Sequence, residues 1–159
     1  MTEEYEKEFL DRVQKFLESK GVTVYREVVP DDCIKWTNPL HADMIIFRED
    51  IGYIGLEGKD LKTLGQGAVF AKAFEQIKKY KDFTYLNGTE INKWAIIVNF
   101  NTFLDKQSDS RTLEFIRCFF RHYNIYIAEF RDNNDFSIGY GFPGSLRFND
   151  KQNGLKNVE

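Results

Sequence analysis

The sequence predicts one α/β domain around a central mixed sheet, with elements in the order helix, strand, strand, strand, helix, strand, followed by a C-terminal helix and hairpin. Three observations predict it. An apolar stripe at helical spacing opens the chain, runs rich in β-branched and aromatic residues follow it, and a second helical stripe leads into an apolar run at residues 94–100. A chain of 159 residues, 42% hydrophobic and 16% aromatic, is long enough to bury one core. The domain is expected to span residues 1–147, and residues 148–159 are expected to form a polar, disordered tail because they lack a core-facing pattern.

Each element has its own signal. In residues 2–20, Tyr5, Phe9, Val13, Phe16 and Leu17 share one helical face, and Gly21 is a natural stop. Residues 22–29 are rich in β-branched side chains and end at Pro30, which predicts a strand and then a loop reaching Leu40 that holds Cys33 and Trp36. Residues 43–47 and 53–57 read as the two strands of a hairpin, separated by Arg48-Glu49-Asp50 and Gly52. After a break at Gly65-Gln66-Gly67, Phe70, Phe74 and Ile77 mark a helix over residues 68–81. Asn87-Gly88 marks a turn, residues 94–100 a buried strand, and residues 101–110 a polar loop whose Asp109 or Ser110 caps a helix carrying Leu113, Ile116, Phe120 and Tyr123. Residues 125–131 and 136–142 complete the pattern as a hairpin around residues 132–135.

Composition excludes several classes of function. Cys33 and Cys118 are too few for a zinc cluster or a disulfide scaffold. No apolar run approaches the roughly 20 residues of a membrane span. The acidic start MTEEYEKEF lacks the basic and then apolar pattern of a signal peptide, so a cytoplasmic location is expected. A net charge of −3 argues against coating nucleic acid by bulk attraction, yet between Lys59 and Asp82 six lysines face three acids.

That local excess follows the most informative segment, residues 43–59. Side chains alternate along a strand, so Glu57 and Lys59 point the same way, and a hairpin brings Asp43 to them. Two carboxylates suit a hard divalent cation such as Mg²⁺, with Mn²⁺ as a substitute, and the carbonyl of Gly58, unshielded by a side chain, is placed to reach it. Such an ion polarises a phosphoryl group and lowers the pKa of an attacking water, which Lys59 is placed to orient. A short degenerate motif admits a bland alternative: Asp43 ending a loop, with Glu57 and Lys59 on a solvated strand edge.

The order helix, strand, Asp43 strand, Glu57-Gly58-Lys59 strand, helix resembles the core of the PD-(D/E)XK nuclease superfamily, the restriction-endonuclease-like fold, over about residues 3–82. The resemblance implies a three-layer α/β/α core and Mg²⁺-dependent cutting of phosphodiesters. It also implies a glutamate on the first helix that completes the acidic site. Glu6 fits, with Phe9, Leu10 and Val13 following it at helical spacing, and an acid on an apolar face costs free energy unless it is paired or ligated. Gln76 and Tyr80, four residues apart on one helix face, are similar to the Gln-x-x-x-Tyr signature of RecB-like exonucleases, which makes both supports of the catalytic centre. His41 and Ala42 stand where the family's name implies proline, and His41 becomes a further candidate near the metal or a phosphate. Lys62, Lys72, Lys78 and Lys79 are expected to contact nucleic-acid backbone, and Trp36 to stack on a base or pack locally.

The resulting expectation is a Mg²⁺-dependent deoxyribonuclease, a RecB-like endo- or exonuclease hydrolysing DNA with metal-activated water. Glu6, Asp43, Glu57 and Gly58 would hold the metal, and Asp43, Glu57, Lys59, Gln76 and Tyr80 would carry the chemistry. A Holliday junction resolvase is the alternative within the class, expected as a homodimer with a more basic surface. A catalytically silent module binding nucleic acid or a protein is the alternative outside it. Expected partners are DNA, with a helicase or a replication or recombination protein as further candidates.

Overall fold

The computed structural model describes residues 2–59, 66–99, 118, 121–131, 134–139, 146–149 and 156–157. Among them, α1 (Thr2–Ser19) leads into an antiparallel meander of β1 (Thr23–Val28), β2 (Ala42–Arg48) and β3 (Gly52–Lys59). Then follow α2 (Gln66–Tyr80), a small hairpin of β4 (Thr84–Tyr85) and β5 (Thr89–Glu90), and β6 (Trp94–Asn99). The chain closes with β7 (Ile125–Arg131), β8 (Asp135–Ile138), β9 (Leu146–Asn149) and β10 (Lys156–Asn157). The main sheet has the order β1-β2-β3-β6-β7-β8-β9-β10, with β3, β6 and β7 parallel and the other neighbours antiparallel. It is thus a mixed sheet in an α/β chain.

The apolar stripe of α1 is buried as its spacing predicts, through Phe9, Leu10, Val13, Phe16 and Leu17. The helix stops where Gly21 takes φ +79°, with Gly21 N–H donating to Glu18 O and Val22 N–H to Leu17 O. That paired closure satisfies carbonyls the helix end would otherwise orphan, at a backbone angle that favours glycine. α1 shares one hydrophobic cluster with Met44, Ile46, Ile54, Leu56, Ala95 and Ile97, whereas α2 shares another with Ile45, Trp94, Ile96 and Val98. Alternate residues of the same strands supply the two clusters, so the helices cover opposite faces of the sheet.

Two polar clips fix the loops. Arg48 donates from Nε and Nη2 to Asp50 and from Nη1 to Lys20 O, tying the β2–β3 turn to the end of α1. Asp31 accepts from Thr84 Oγ1 and from the Asn87 and Gly88 amides, so the loop after β1 is stitched to the β4–β5 turn. Those donors, Gly88 foremost, hold the Asp31 carboxyl below its ordinary range.

The chain departs from expectation at its C-terminal end. Phe148, placed by sequence in the polar tail, is fully buried in β9 against Phe136, and Lys156 and Asn157 pair with Arg147 and Leu146. The physical reason is a short period-two pattern, Leu146 and Phe148 inward with Arg147 outward, which a polar setting obscures. The second expected strand of the last hairpin is four residues long and starts at Asp135. The loop at residues 101–110 and most of the helix expected through Leu113, Ile116 and Phe120 lie outside the described residues, of which Cys118, Arg121 and His122 are helical. No helix among the described residues is long and apolar enough to cross a membrane.

Candidate metal and phosphodiester site

The β2–β3 register sets the site. Met44 pairs with Leu56 and Ile45 with Gly55, so one further step along the ladder puts Asp43 opposite Glu57. Both belong to the face that β2 and β3 turn toward α2, since Met44 and Leu56 face α1. Gly58 N–H donates to Asp43 Oδ2 at 2.9 Å, and Lys59 Nζ lies 3.5 Å from Glu57 Oε2. Glu57 is 2% exposed, and its Oε1 has no hydrogen-bond partner. The Lys59 side chain is itself only 12% exposed. The bland alternative of a solvated strand edge therefore does not describe Glu57 or Lys59.

Burial of two facing carboxyls shows in their proton affinity. Glu57 is pushed up to about 8, first by burial and then by the charge of Asp43, against the pull of Lys59. Asp43 is also raised by burial, which outweighs the Gly58 amide, Lys59 and His41. The two carboxyls interact directly, and burial raises the proton affinity of both.

A stability prediction follows. Glu57 binds its proton more tightly folded than unfolded, so between its ordinary pKa of 4.5 and about 8 the native state holds more protons than the unfolded one. Stability without divalent cation should therefore fall as pH rises through that window, by a few kcal/mol in all. Thermal melts of wild type and Glu57→Gln across pH 5 to about 9 check this. The wild-type Tm should decline while the variant, neutral throughout, stays flatter and melts higher at the alkaline end.

The helix residues join from α2. Gln76 is half-buried, with an Oε1 that is buried and unpartnered. Tyr80 is buried, and its hydroxyl is held neutral by burial and then by the charges of Glu57 and Asp43, which places it within the field of both acids. Its ring lies against Trp94 at 5.6 Å between centroids, and Tyr85 Oη donates to its carbonyl oxygen at 2.7 Å. Lys72, Lys78 and Lys79 are exposed on the same helix, while Lys62 lies outside the described residues.

Glu6 is half-buried and lines a cavity of about 400 Å³ with Asp43 and His41. The expected joint ligand set of Glu6, Asp43 and Glu57 is not assembled, because no three His, Cys, Asp or Glu side chains among the described residues come together as a metal-holding group. α1 covers the sheet face that Met44 and Leu56 line, and its Leu10 sits so close to β3 that a Cβ on Gly58 would lie 2.8 Å from its Cδ2. Gly58 thus serves through its amide and its missing side chain; both are needed where a helix meets the strand. Trp36, 49% exposed, packs edge-on against Phe83, so it is anchored locally and presents part of its ring to solvent.

Compared with protein-family models, curated proteins and solved structures, the chain has no match. What the site can do rests on its own residues. An unpartnered oxygen on the buried Glu57 carboxyl, facing Asp43 beside a cavity that Glu6 and Glu27 also line, is the donor chemistry of a hard divalent cation bound by one or two carboxylates and waters. Asp43 and Glu57 fit that role. Sequence reasoning missed Arg26 and Glu27, which line the same cavity, and Asp31, which fixes the adjoining loop. A signal for Arg26 was present, since it alternates with Val24 and Val28 and so places a charge on a face those residues make apolar.

Proposed function

We propose that the chain is a divalent-cation-dependent nuclease that hydrolyses DNA phosphodiesters, of restriction-endonuclease-like three-layer architecture and closest in its site to RecB-like enzymes. The observation that carries it is the Asp43–Glu57 pair, a buried Glu57 carboxyl and a half-buried Asp43 carboxyl held face to face, with one Glu57 oxygen unpartnered and Lys59 beside them. Leaving such a pair uncompensated costs stability, and a bound cation offsets that cost. The helices on opposite faces and the parallel step from β3 to β6 support the architecture.

Asp43 and Glu57 would hold Mg²⁺ or Mn²⁺, which when bound polarises the phosphoryl group and makes a water acidic enough to attack at neutral pH. The amide of Gly58 fixes the Asp43 carboxylate through one oxygen and leaves the other for ligation. Lys59, 3.5 Å from Glu57 Oε2, would offset the negative charge that builds on the reacting phosphate. Gln76 Oε1 is an acceptor available to a water proton, and Tyr80, wedged by Trp94 and Tyr85, holds that helix turn against the site. The Gln76 and Tyr80 placement favours a RecB-like enzyme over a junction resolvase. The exposed Lys72, Lys78 and Lys79 offer backbone contacts along α2.

Labelled single- and double-stranded DNA, with RNA alongside, incubated with Mg²⁺ or Mn²⁺ tests this. Wild type should cleave DNA only with the cation, and Asp43→Ala should not. Equal cleavage by both would remove the proposed site, and binding without cleavage by either would establish the silent module instead.

A further inference from the structure

We infer that Trp36 is a base platform: its indole face, presented by the loop between β1 and β2, stacks an unpaired nucleobase of the substrate strand. The strand that this site takes is therefore single-stranded beside the point of cutting. The identity of the ligand rests on the nuclease reading, while the geometry stands without it.

The loop is pinned at several points and still leaves apolar surface outside. Asp31 ties its start to Thr84, Asn87 and Gly88, Pro30 and Cys33 are buried beneath it, and Trp36 N–H donates to Cys33 O at 3.0 Å. Ile34 and Trp36 nonetheless stand 65% and 49% exposed, the two most exposed large hydrophobic side chains among the described residues. A surface ordered before binding loses less freedom when a ligand arrives.

The ring geometry fits a base. Trp36 meets Phe83 at 85° with centroids 6.4 Å apart, so Phe83 covers at most one face of the indole and braces it there. A flat, steadied ring with a face toward solvent is what stacking needs, whichever base arrives. The charges that flank the two rings along the chain, Asp32 and Asp82 against Lys35 and Lys81, balance. That balance would not hold a phosphate, and it does not oppose a neutral base. Two exposed side chains are a small part of the roughly 1,200 Å² that a stable protein interface buries, whereas one base needs a single ring.

Both supports of the platform lead to the site. Phe83 N–H donates to Tyr80 O, which joins it to the last turn of α2, the helix that carries Gln76 and the exposed Lys72, Lys78 and Lys79. The loop of Trp36 ends at His41, which lines a cavity with Asp43. Asp43 follows Trp36 by seven residues, at most about 25 Å of chain. A strand with its phosphates along α2 is placed to reach the platform and the Asp43–Glu57 pair together.

The test is intrinsic fluorescence with a single-stranded DNA oligonucleotide and Mg²⁺, in a Lys59→Ala background that slows cleavage. Of the two tryptophans, Trp94 is fully buried, so the difference between the parent and Trp36→Phe isolates Trp36. That component should be quenched on saturation. By anisotropy, Trp36→Ala should weaken oligonucleotide binding about tenfold and leave the slope of log K against log salt unchanged, since no phosphate contact is lost. Trp36→Phe, which keeps a ring, should retain most of the affinity. A closed-ended duplex and an abasic oligonucleotide, which offer no unpaired base, should bind Trp36→Ala and its parent within about twofold of each other, and this also checks that the variant folds. An unquenched Trp36, or a loss in Trp36→Ala that is equal for duplex and abasic strands, overturns the platform, and cleavage by wild type then leaves the nuclease reading standing. Quenching that grows with protein concentration alone overturns it in favour of self-association through this loop. Quenching by the oligonucleotide with no cleavage by wild type keeps the platform and removes the nuclease. Wild type that neither binds nor cleaves overturns both.

Discussion

Under the proposed nuclease function, replacing Lys59 by alanine is expected to lower the cleavage rate by about 10²- to 10³-fold, the usual loss when one preorganised charge is removed from a developing oxyanion. The fall should lie mainly in kcat, since in that role the ammonium would act on charge that appears only in the transition state. Lys59 also lowers the proton affinity of Glu57, so its loss should raise the Glu57 pKa above about 8. Cation ligation needs Glu57 ionised, and the acidic limb of the pH–rate profile should therefore move to higher pH. A lysine that only braced the strand would lower activity without moving that limb. Steady-state rates of wild type and Lys59→Ala from pH 6 to about 10 separate the two.

The largest structural effect is expected from Gly55→Ala, one turn of the ladder from the site. A Cβ there would lie 2.3 Å from the Trp94 ring, far inside contact distance. Trp94 cannot swing aside, because its Nε1 donates to Ile91 O and its ring is packed by Tyr80 and Tyr85. Overpacking ordinarily costs 1 to about 3 kcal/mol, and an indole fixed on every side puts this case at the upper end or beyond. At 2 to about 4 °C per kcal/mol for a chain of this size, Tm should fall by roughly 10 °C. Trimming the ring, as in Gly55→Ala with Trp94→Leu, should recover part of that loss. An unchanged Tm in the single variant would show that the strand and the indole are not locked together.

Much of the frame around the site was legible in the sequence, because it depends on periodicity. The α1 stripe, the 43–57 hairpin and the Phe70 to Ile77 helix each declare themselves through spacing, and the hairpin alone puts Asp43 opposite Glu57. What periodicity does not carry was not legible. Glu6 lines a cavity with Asp43, but whether it joins Asp43 and Glu57 in one ligand group depends on packing between helix and sheet that periodicity does not carry. Glu27 reveals nothing of its left-handed backbone, since a glutamate within a β-branched run carries no turn signal. Arg26 was readable as a charge on an apolar alternation, and its partners Asp11 and Gln14 lie on a helix whose rotation the sequence fixes only approximately. Phe148 was overlooked because a four-residue strand offers two inward positions, too few to stand out in a polar stretch.

The carboxylate pair is the centre of the proposed function, and calorimetric titration with Mn²⁺ at pH 7, repeated in buffers of different ionisation heat, addresses it most directly. Wild type should bind the ion and release about one proton for each ion bound, because burial raises the proton affinity of Asp43 and Glu57 and ligation favours their ionised forms. Asp43→Asn should lose both the binding and the proton release. Binding that survives Asp43→Asn and Glu57→Gln unchanged, or no binding by wild type, would contradict a cation seat at this pair.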